Sequence, residues 1–88
     1  MVDKKTLIDY PCDFPIKVMG ETHEEFLKII MDVIVPHDPS LTIEKIEIRT
    51  SREGKYTSLT LMIRAINQMQ LDTIYRTLTS HKMVKMVF

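Results

Sequence analysis

The spacing of the apolar residues changes repeatedly along this chain of 88 residues, and the order of the changes constrains the fold. Alternation of apolar and polar residues is typical of a strand with one face on a core, whereas recurrence every three or four residues is typical of an amphipathic helix. The patterns occupy, in order, 14–20 (strand), 22–35 (helix), 41–50 and 56–65 (strands), 68–80 (helix) and 83–88 (strand). The sequence therefore predicts the element order β-α-β-β-α-β.

That order belongs to the split-βαβ or ferredoxin-like sandwich of the α+β class. We expect a four-stranded antiparallel sheet in the order 4-1-3-2, with both helices on one face. Residues 14–88 are expected to form this single domain, and residues 1–13 a leader before it. Because a chain of this length buries only about 60–65% of its unfolded surface, association with another molecule would help to cover apolar groups.

The charge balance and the single cysteine narrow the classes of function. The chain has 12 basic and 12 acidic residues, whereas nonspecific nucleic-acid binding or attachment to a membrane surface needs an excess of lysine and arginine. Cys12 has no cysteine partner, which favours a reducing compartment. The longest uncharged apolar stretch, 57–63, is far shorter than the roughly 20 residues of a membrane helix. We therefore expect a cytoplasmic protein that uses neither nucleic acid nor membrane as a partner.

Local signals place the ends of the elements. Gly20 predicts a sharp turn after the first strand, and Thr22 with Glu25 fits a capping box at the start of the first helix. The apolar residues of the second strand change from odd-numbered to even-numbered positions, which predicts a bulge or a late strand start near residues 44–45. Gly54 predicts a hairpin with a positive φ angle, and Asn67 resembles the N-cap of the second helix.

No set of residues carries a catalytic or metal-binding signature. Cys12 and the histidines His23, His37 and His81 could form a nucleophile–base pair, with Asp32 or Asp38 orienting the imidazole. Cys12 lies beside Asp13, however, and a nearby carboxylate opposes thiolate formation. The ligand-type residues also lack the spacing of structural zinc sites. We expect no enzymatic activity, no metal and no cofactor; an enzyme that uses Cys12 would instead show selective alkylation of this thiol at neutral pH.

The sheet face away from the helices is the candidate contact surface. The alternation places Met19, Tyr56, Thr60 and Met62 on it, with Lys17 and Arg64 at its borders, and the last strand is apolar on both faces. In that strand, the parity predicts Met83 and Val87 on one side and Val84, Met86 and Phe88 on the other. Contiguous exposed apolar surface is rare on soluble monomers unless it is used, and methionine adapts well to a partner. The predicted contact residues are Met19, Tyr56, Met62, Met83 and Met86. The leader, residues 1–13, is the alternative cover for this face.

An RNA-binding module is the alternative function, because the RRM shares this topology. Such a module stacks bases on aromatic residues of its central strands, and the corresponding positions hold one aromatic residue, Tyr56. Arg52, Lys55 and Arg64 supply neighbouring positive charge, although Glu53 interrupts it.

Three segments carry a family resemblance: the run from Phe14 to Gly20, the hairpin from Ser51 to Ser58 and the ending Val84–Val87. Together they resemble the small bacterial YbeD-like family over nearly the whole chain. The resemblance implies a lipoate-related regulatory protein whose fold is similar to the ACT-type regulatory domain of amino-acid biosynthetic enzymes.

The resemblance also implies a place for a small effector. ACT-type domains bind effectors beside the turn between the first strand and the first helix, and Gly20 and Thr22 match that place. Met19 replaces the proline that often precedes the glycine, and Glu21 and Glu24 bring negative charge to the site. We expect a non-catalytic regulatory module, related to lipoate or amino-acid metabolism, that binds a small effector, a second copy of itself or a partner protein.

Overall fold

A computed structural model describes residues 9–88 and confirms the predicted architecture. The elements are β1 (Cys12–Glu21), α1 (Phe26–Ile34), a 3-10 turn (Ile43–Lys45), β2 (Ile46–Thr50), β3 (Tyr56–Ala65), α2 (Gln68–Thr79) and β4 (Val84–Val87). The strands form one antiparallel sheet in the order β2-β3-β1-β4, which is the predicted order read from the opposite edge.

One face of the sheet carries the core, and both helices pack on it. Alternate residues of β1 and β3 point to this side, where they meet the apolar stripes of α1 and α2. The largest fully buried side chains are Ile16, Val18, Leu59, Leu61 and Ile63 from the sheet and Phe26, Ile30, Ile34, Leu71, Ile74 and Leu78 from the helices. Burial of a side chain of this size contributes roughly 1.5–3 kcal/mol, so this layer stabilises the domain and leaves the other face open.

The predicted capping box at α1 is wrong. The helix begins at Phe26 rather than at residue 22, and no side chain caps it. The Thr22 amide donates to the Lys55 carbonyl at 2.9 Å, which extends the β1–β3 ladder past the strand end. The Thr22 hydroxyl lies 2.8 Å from the Thr57 hydroxyl, and the Glu25 amide donates to His23 Nδ1 at 3.0 Å. Strand pairing therefore determines the conformation of Thr22.

The prediction of a sharp turn at Gly20 is also wrong. Gly20 lies within β1, where it pairs with Thr57 on β3 and with Val84 on β4. A Cβ atom at this position would come within 2.8 Å of the Phe26 ring and would clash with the Met83 carbonyl. A glycine is needed at this position because neighbouring segments approach its backbone closely, and not because the chain turns there.

The predicted division of the last strand's residues between the two sides of the sheet is wrong as well. A register shift between Met19 and Gly20 separates the two ends of the β1–β4 ladder. Val84 and Val87 consequently both pack towards the core, whereas Met86 lies opposite Met19 on the open face. An irregularity of one residue reverses the side that each later residue faces.

The remaining local predictions are confirmed. The 3-10 turn delays the start of β2 to Ile46, Gly54 has a φ of 75°, and Asn67 Oδ1 accepts a hydrogen bond from the Gln70 amide.

Strand β1 begins two residues earlier than predicted. Tyr10 packs against the core and donates its hydroxyl to Gln68. The first eight residues of the predicted leader, 1–8, lie outside the described residues.

Candidate functional site

The open sheet face carries a group of apolar side chains that we call the sheet-face patch. Met19 lies opposite Met86 of β4, and Pro15 lies opposite Met62 of β3. Phe88 follows on the same side as Met86, because its backbone exchanges hydrogen bonds with Lys17 in the same ladder. The patch consists of Pro15, Met19, Met62, Met86 and Phe88. Met62, Met86 and Phe88 are 37%, 50% and 55% exposed, so the patch is open to contact by another molecule.

Charged pairs surround the patch. Arg64 Nη1 lies 3.4 Å from Asp13 Oδ1 at one end of the face, and Lys85 Nζ lies 3.7 Å from Glu21 Oε2 at the other. On β2, Arg49 Nη2 lies 3.0 Å from Glu47 Oε2. These pairs are solvent-exposed and contribute at most about 1 kcal/mol each. They form a polar rim around the apolar side chains of the patch, and a polar rim is usual for a protein-binding surface.

Lys17 is enclosed by this rim and lies at the centre of the face, not at its border as predicted. It is the middle open-face position of β1, opposite Thr60. Its Nζ lies 5.3 Å from the centroid of the Phe88 ring, a distance that allows a cation–π contact. Among residues 9–88, the ion pairs do not include this lysine. The centre of the patch therefore carries a cation with an aromatic neighbour.

Four of the five predicted contact residues lie on the open face, and the fifth does not. Met19, Tyr56, Met62 and Met86 share this face. Met83 instead packs against the core, and its amide donates to His81 Nδ1. Its inclusion in the contact surface is corrected, because the chain enters β4 from the helix side of the sheet.

Phe88 belongs to the sheet-face patch, although the sequence-based prediction did not include it among the contact residues. The predicted parity did group it with Met86. The signal was weak because Phe88 is the last residue of the sequence and follows a strand that is apolar on both sides. Its place in the patch follows from the backbone pairing with Lys17.

A second site lies at the corner predicted for a small effector. A cleft of about 280 Å³ opens between the β1–α1 and α2–β4 connections. Its lining residues are Glu21, Thr22, His23, Lys82, Met83 and Lys85. Of the two residues predicted for the effector, Thr22 lines this cleft, whereas Gly20 is buried beneath Phe26 and Met83. The two lysines offset the acidic side chains, and the sequence did not reveal them because they come from the other end of the chain.

The comparisons with known proteins assign the chain to a family. A family model described as "Protein of unknown function (DUF493)" matches residues 5–88. The chain belongs to the DUF493 family. It is 52% identical over 83 residues to a UPF0250 protein of Paraburkholderia phymatum, covering 94% of this chain and 93% of that protein. It is 47% identical over 85 residues to a UPF0250 protein of Neisseria meningitidis, covering 97% of this chain and 93% of that protein. The YbeD-like resemblance is confirmed.

Solved structures show that this DUF493 chain has an ACT-like fold. The ACT domain from GTP pyrophosphokinase of Chlorobium tepidum matches with a TM-score of 0.65 and 24% identity, covering 86% of this chain and 84% of that one. Protein HP0495 from H. pylori matches with a TM-score of 0.70 and 20% identity, covering 92% and 85%. At these identities the likeness concerns the fold alone.

Several candidate catalytic residues of the DUF493 chain have structural contacts. Cys12 is half-buried on the helix side, beside the core. Asp38 is buried and accepts hydrogen bonds from the amide and hydroxyl of Ser40 and from the Arg64 amide. Within residues 9–88, no group of three or more histidine, cysteine or acidic residues is placed to hold a metal ion. In the same range, no helix has the length and apolar character needed to span a membrane.

The aromatic residues on the open face of the DUF493 chain are far apart. Tyr56 lies opposite Glu21, whereas Phe88 pairs with Lys17, four residues away along β1 and two strands across. Strand rise and spacing put their backbones roughly 16 Å apart. Because an RRM stacks neighbouring bases on neighbouring aromatic residues, this spacing does not favour RNA binding.

Proposed function

We propose that this protein is a non-catalytic regulatory module that binds a partner protein through the sheet-face patch. The observation that carries the proposal is the exposure of Met62, Met86 and Phe88 on the sheet face opposite both helices. Surfaces of this kind on small domains usually serve association, and methionine side chains repack easily against a partner.

The ACT-like fold supports a regulatory role by analogy. The solved ACT domain of similar fold comes from a GTP pyrophosphokinase, in which it is one part of an enzyme. Fold likeness alone is an associational argument, so the proposal depends on the surface and not on the family.

The contacts of the candidate nucleophile and bases support a non-catalytic role. His23 and His81 each accept a backbone hydrogen bond at Nδ1, and each bond fixes a turn of the chain. Cys12 packs beside the core at the start of β1, whereas the connections that carry His23 and His81 lie at the other end of this strand. A Cys–His pair needs the thiol and the imidazole within hydrogen-bond reach.

Site-specific photo-crosslinking tests the proposal. A photoreactive amino acid at position 62 on the open face should give a defined crosslinked partner in cells, and one at exposed Arg76 on α2 should not. The substitution Met86→Glu should abolish the crosslink from position 62 while the domain stays folded. Crosslinks from position 76 alone would assign binding to the helix side and refute the proposal.

A small carboxylate effector in the corner cleft is the second candidate function. The specific observation is that Lys82 and Lys85 line the cleft beside Thr22, where an anionic group would find positive charge. The family resemblance makes lipoate, glycine and serine the ligands to try. Isothermal titration that shows no heat with any of them at millimolar concentration would remove this candidate.

A further inference from the structure

Ion pairs lie at the borders of the open sheet face, and Lys17 lies at its centre. The open-face positions of β1 run from Asp13 to Glu21, and Lys17 is the middle position. Asp13 is paired with Arg64 at one end. Lys17 has an aromatic contact with Phe88, and among residues 9–88 it takes part in no ion pair. Since an unpaired buried charge is costly, a molecule that covers the patch must bring an anionic group to Lys17.

The apolar side chains form a band that crosses the strands obliquely. The band runs from Met86 and Met19, on neighbouring strands, to Met62 on the next strand. Its two ends are four residues apart along the strands and two strands apart across them. These offsets correspond to a band of roughly 16 Å. A helix of about 11 residues, or three turns, has the same length.

The form of the surface favours a helix over an extended peptide. The backbone hydrogen-bonding groups of a sheet lie in its plane, so the face offers side chains only. An extended peptide on this face would leave its own N–H and C=O groups against methionine and phenylalanine without partners, which costs free energy. A helix satisfies its backbone internally and presents only side chains. Its apolar stripe would pack on the patch.

The same charge argues against a second copy of this chain as the occupant. Two copies stacked face to face around a twofold axis at the patch centre would bring the two Lys17 side chains together, because Lys17 is the middle position of the face. Like charges in a desolvated interface oppose association. A partner that places a carboxylate at this point would instead form a favourable ion pair with Lys17.

We infer that the sheet-face patch receives an amphipathic helix of a partner protein, with its apolar stripe across the methionines and an Asp or Glu side chain opposite Lys17. The inference rests on the proposed function, since it names the kind of partner that the same surface binds. In this arrangement the charge of Lys17 provides specificity, and the apolar band provides the affinity.

The experiment uses two designed helical peptides of about 15 residues, long enough to cross the band at a rise of about 1.5 Å per residue. Both carry the same leucine stripe; glutamate flanks the stripe in one peptide and lysine flanks it in the other. Each labelled peptide is titrated with the full chain and followed by fluorescence anisotropy. The variants are Lys17→Glu, Met62→Glu and, as the matched charge control, Arg76→Glu, which changes an exposed basic residue of α2 on the helix side of the sheet.

The acidic peptide should bind the wild-type protein about tenfold more tightly than the basic peptide. Lys17→Glu should reverse that preference, and Arg76→Glu should leave it unchanged. Met62→Glu should weaken both peptides. A proline placed in the middle of the acidic peptide should also abolish binding, because it breaks the helix.

Three outcomes would overturn the inference: no saturable binding of the acidic peptide, equal effects of Lys17→Glu and Arg76→Glu, or undiminished binding of the proline-broken peptide. Light scattering that shows a dimer dissociated by Met62→Glu would also overturn it, since the occupant would then be a second copy. These outcomes leave the photo-crosslinking result from position 62 untouched, so failure of the helix inference is distinguishable from failure of the proposed function.

Discussion

Met19 and Met86 lie directly opposite each other on β1 and β4, on the sheet face that the helices leave open. The register shift immediately after Met19 determines this relationship, because it turns Val84 towards the core and keeps Met86 outside. A partner-binding surface thus depends on a local irregularity of the last strand. The predictions below separate the surface role of these residues from their contribution to stability.

The two methionines of the last segment should respond differently to charge. Met86→Glu replaces a side chain that is half exposed, so the free energy of unfolding should change by at most about 0.5 kcal/mol. Met83→Glu brings a carboxylate against the core and should cost about 1–3 kcal/mol. Urea denaturation monitored by circular dichroism measures both. Equal losses would mean that Met83 and Met86 do not lie on different sides of the sheet.

Substitution of the two glycines by alanine should lower the free energy of unfolding by different amounts and for different reasons. Gly20→Ala places a methyl group against the Phe26 ring and the Met83 carbonyl, and this overpacking should cost about 1–3 kcal/mol. Gly54→Ala meets no atom within 4 Å and should cost only about 1 kcal/mol, through its positive φ angle. Thermal and urea unfolding of both variants provide the comparison. A smaller loss at position 20 than at position 54 would contradict the packing role of Gly20.

Replacement of one carboxylate oxygen of the buried Asp38 should lower the free energy of unfolding. In Asp38→Asn an amide group would replace one of the oxygens that accept from Ser40 and Arg64, which should cost about 1–3 kcal/mol. Asp32→Asn, which removes an exposed ion pair with Lys28, is the matched control and should cost at most about 0.5 kcal/mol. Equal stability of the two variants would show that Asp38 does not hold the α1–β2 connection against β3.

Stability should decline in alkaline solution, in part through Tyr75. Burial raises the pKa of the Tyr75 hydroxyl above its ordinary value of 10.0, so the folded state holds this proton more strongly than the unfolded state. The contribution is complete below pH 10 and is lost as pH rises through the higher pKa of the folded state. Urea denaturation across this range should show a shallower decline for Tyr75→Phe than for the wild type. Identical slopes would exclude a contribution from this residue.

Periodicity was sufficient to predict the fold because β1 and β3 alternate without interruption. Leu59, Leu61 and Ile63 pack on the core while Thr60 and Met62 face outward, as the spacing predicts. The order of elements then leaves one arrangement in which both apolar helix stripes are buried on the same side of the sheet. This information is local and can be read from the sequence.

The errors arose where contacts between distant segments decide the structure. Thr22 fits a capping box, but its hydroxyl contacts Thr57, 35 residues away, because the β-ladder continues past the end of β1. The corner cleft joins Thr22 to Lys82 and Lys85 in the same way. Spacing within one segment carries no information about such pairs. For the same reason, a bulge in β4 was invisible in a strand that is apolar on both sides.

The most direct measurement of the central claim uses the methionine methyl groups as reporters. With ¹³C-labelled methionine methyl groups, the NMR spectrum of the protein is recorded before and after addition of the partner recovered by photo-crosslinking. The signals of Met19, Met62 and Met86 should shift or broaden. Those of Met31 and of Met69, which is 76% exposed on α2, should stay in place. Changes confined to Met69 or Met83, with the three sheet-face methionines unaffected, would contradict the account.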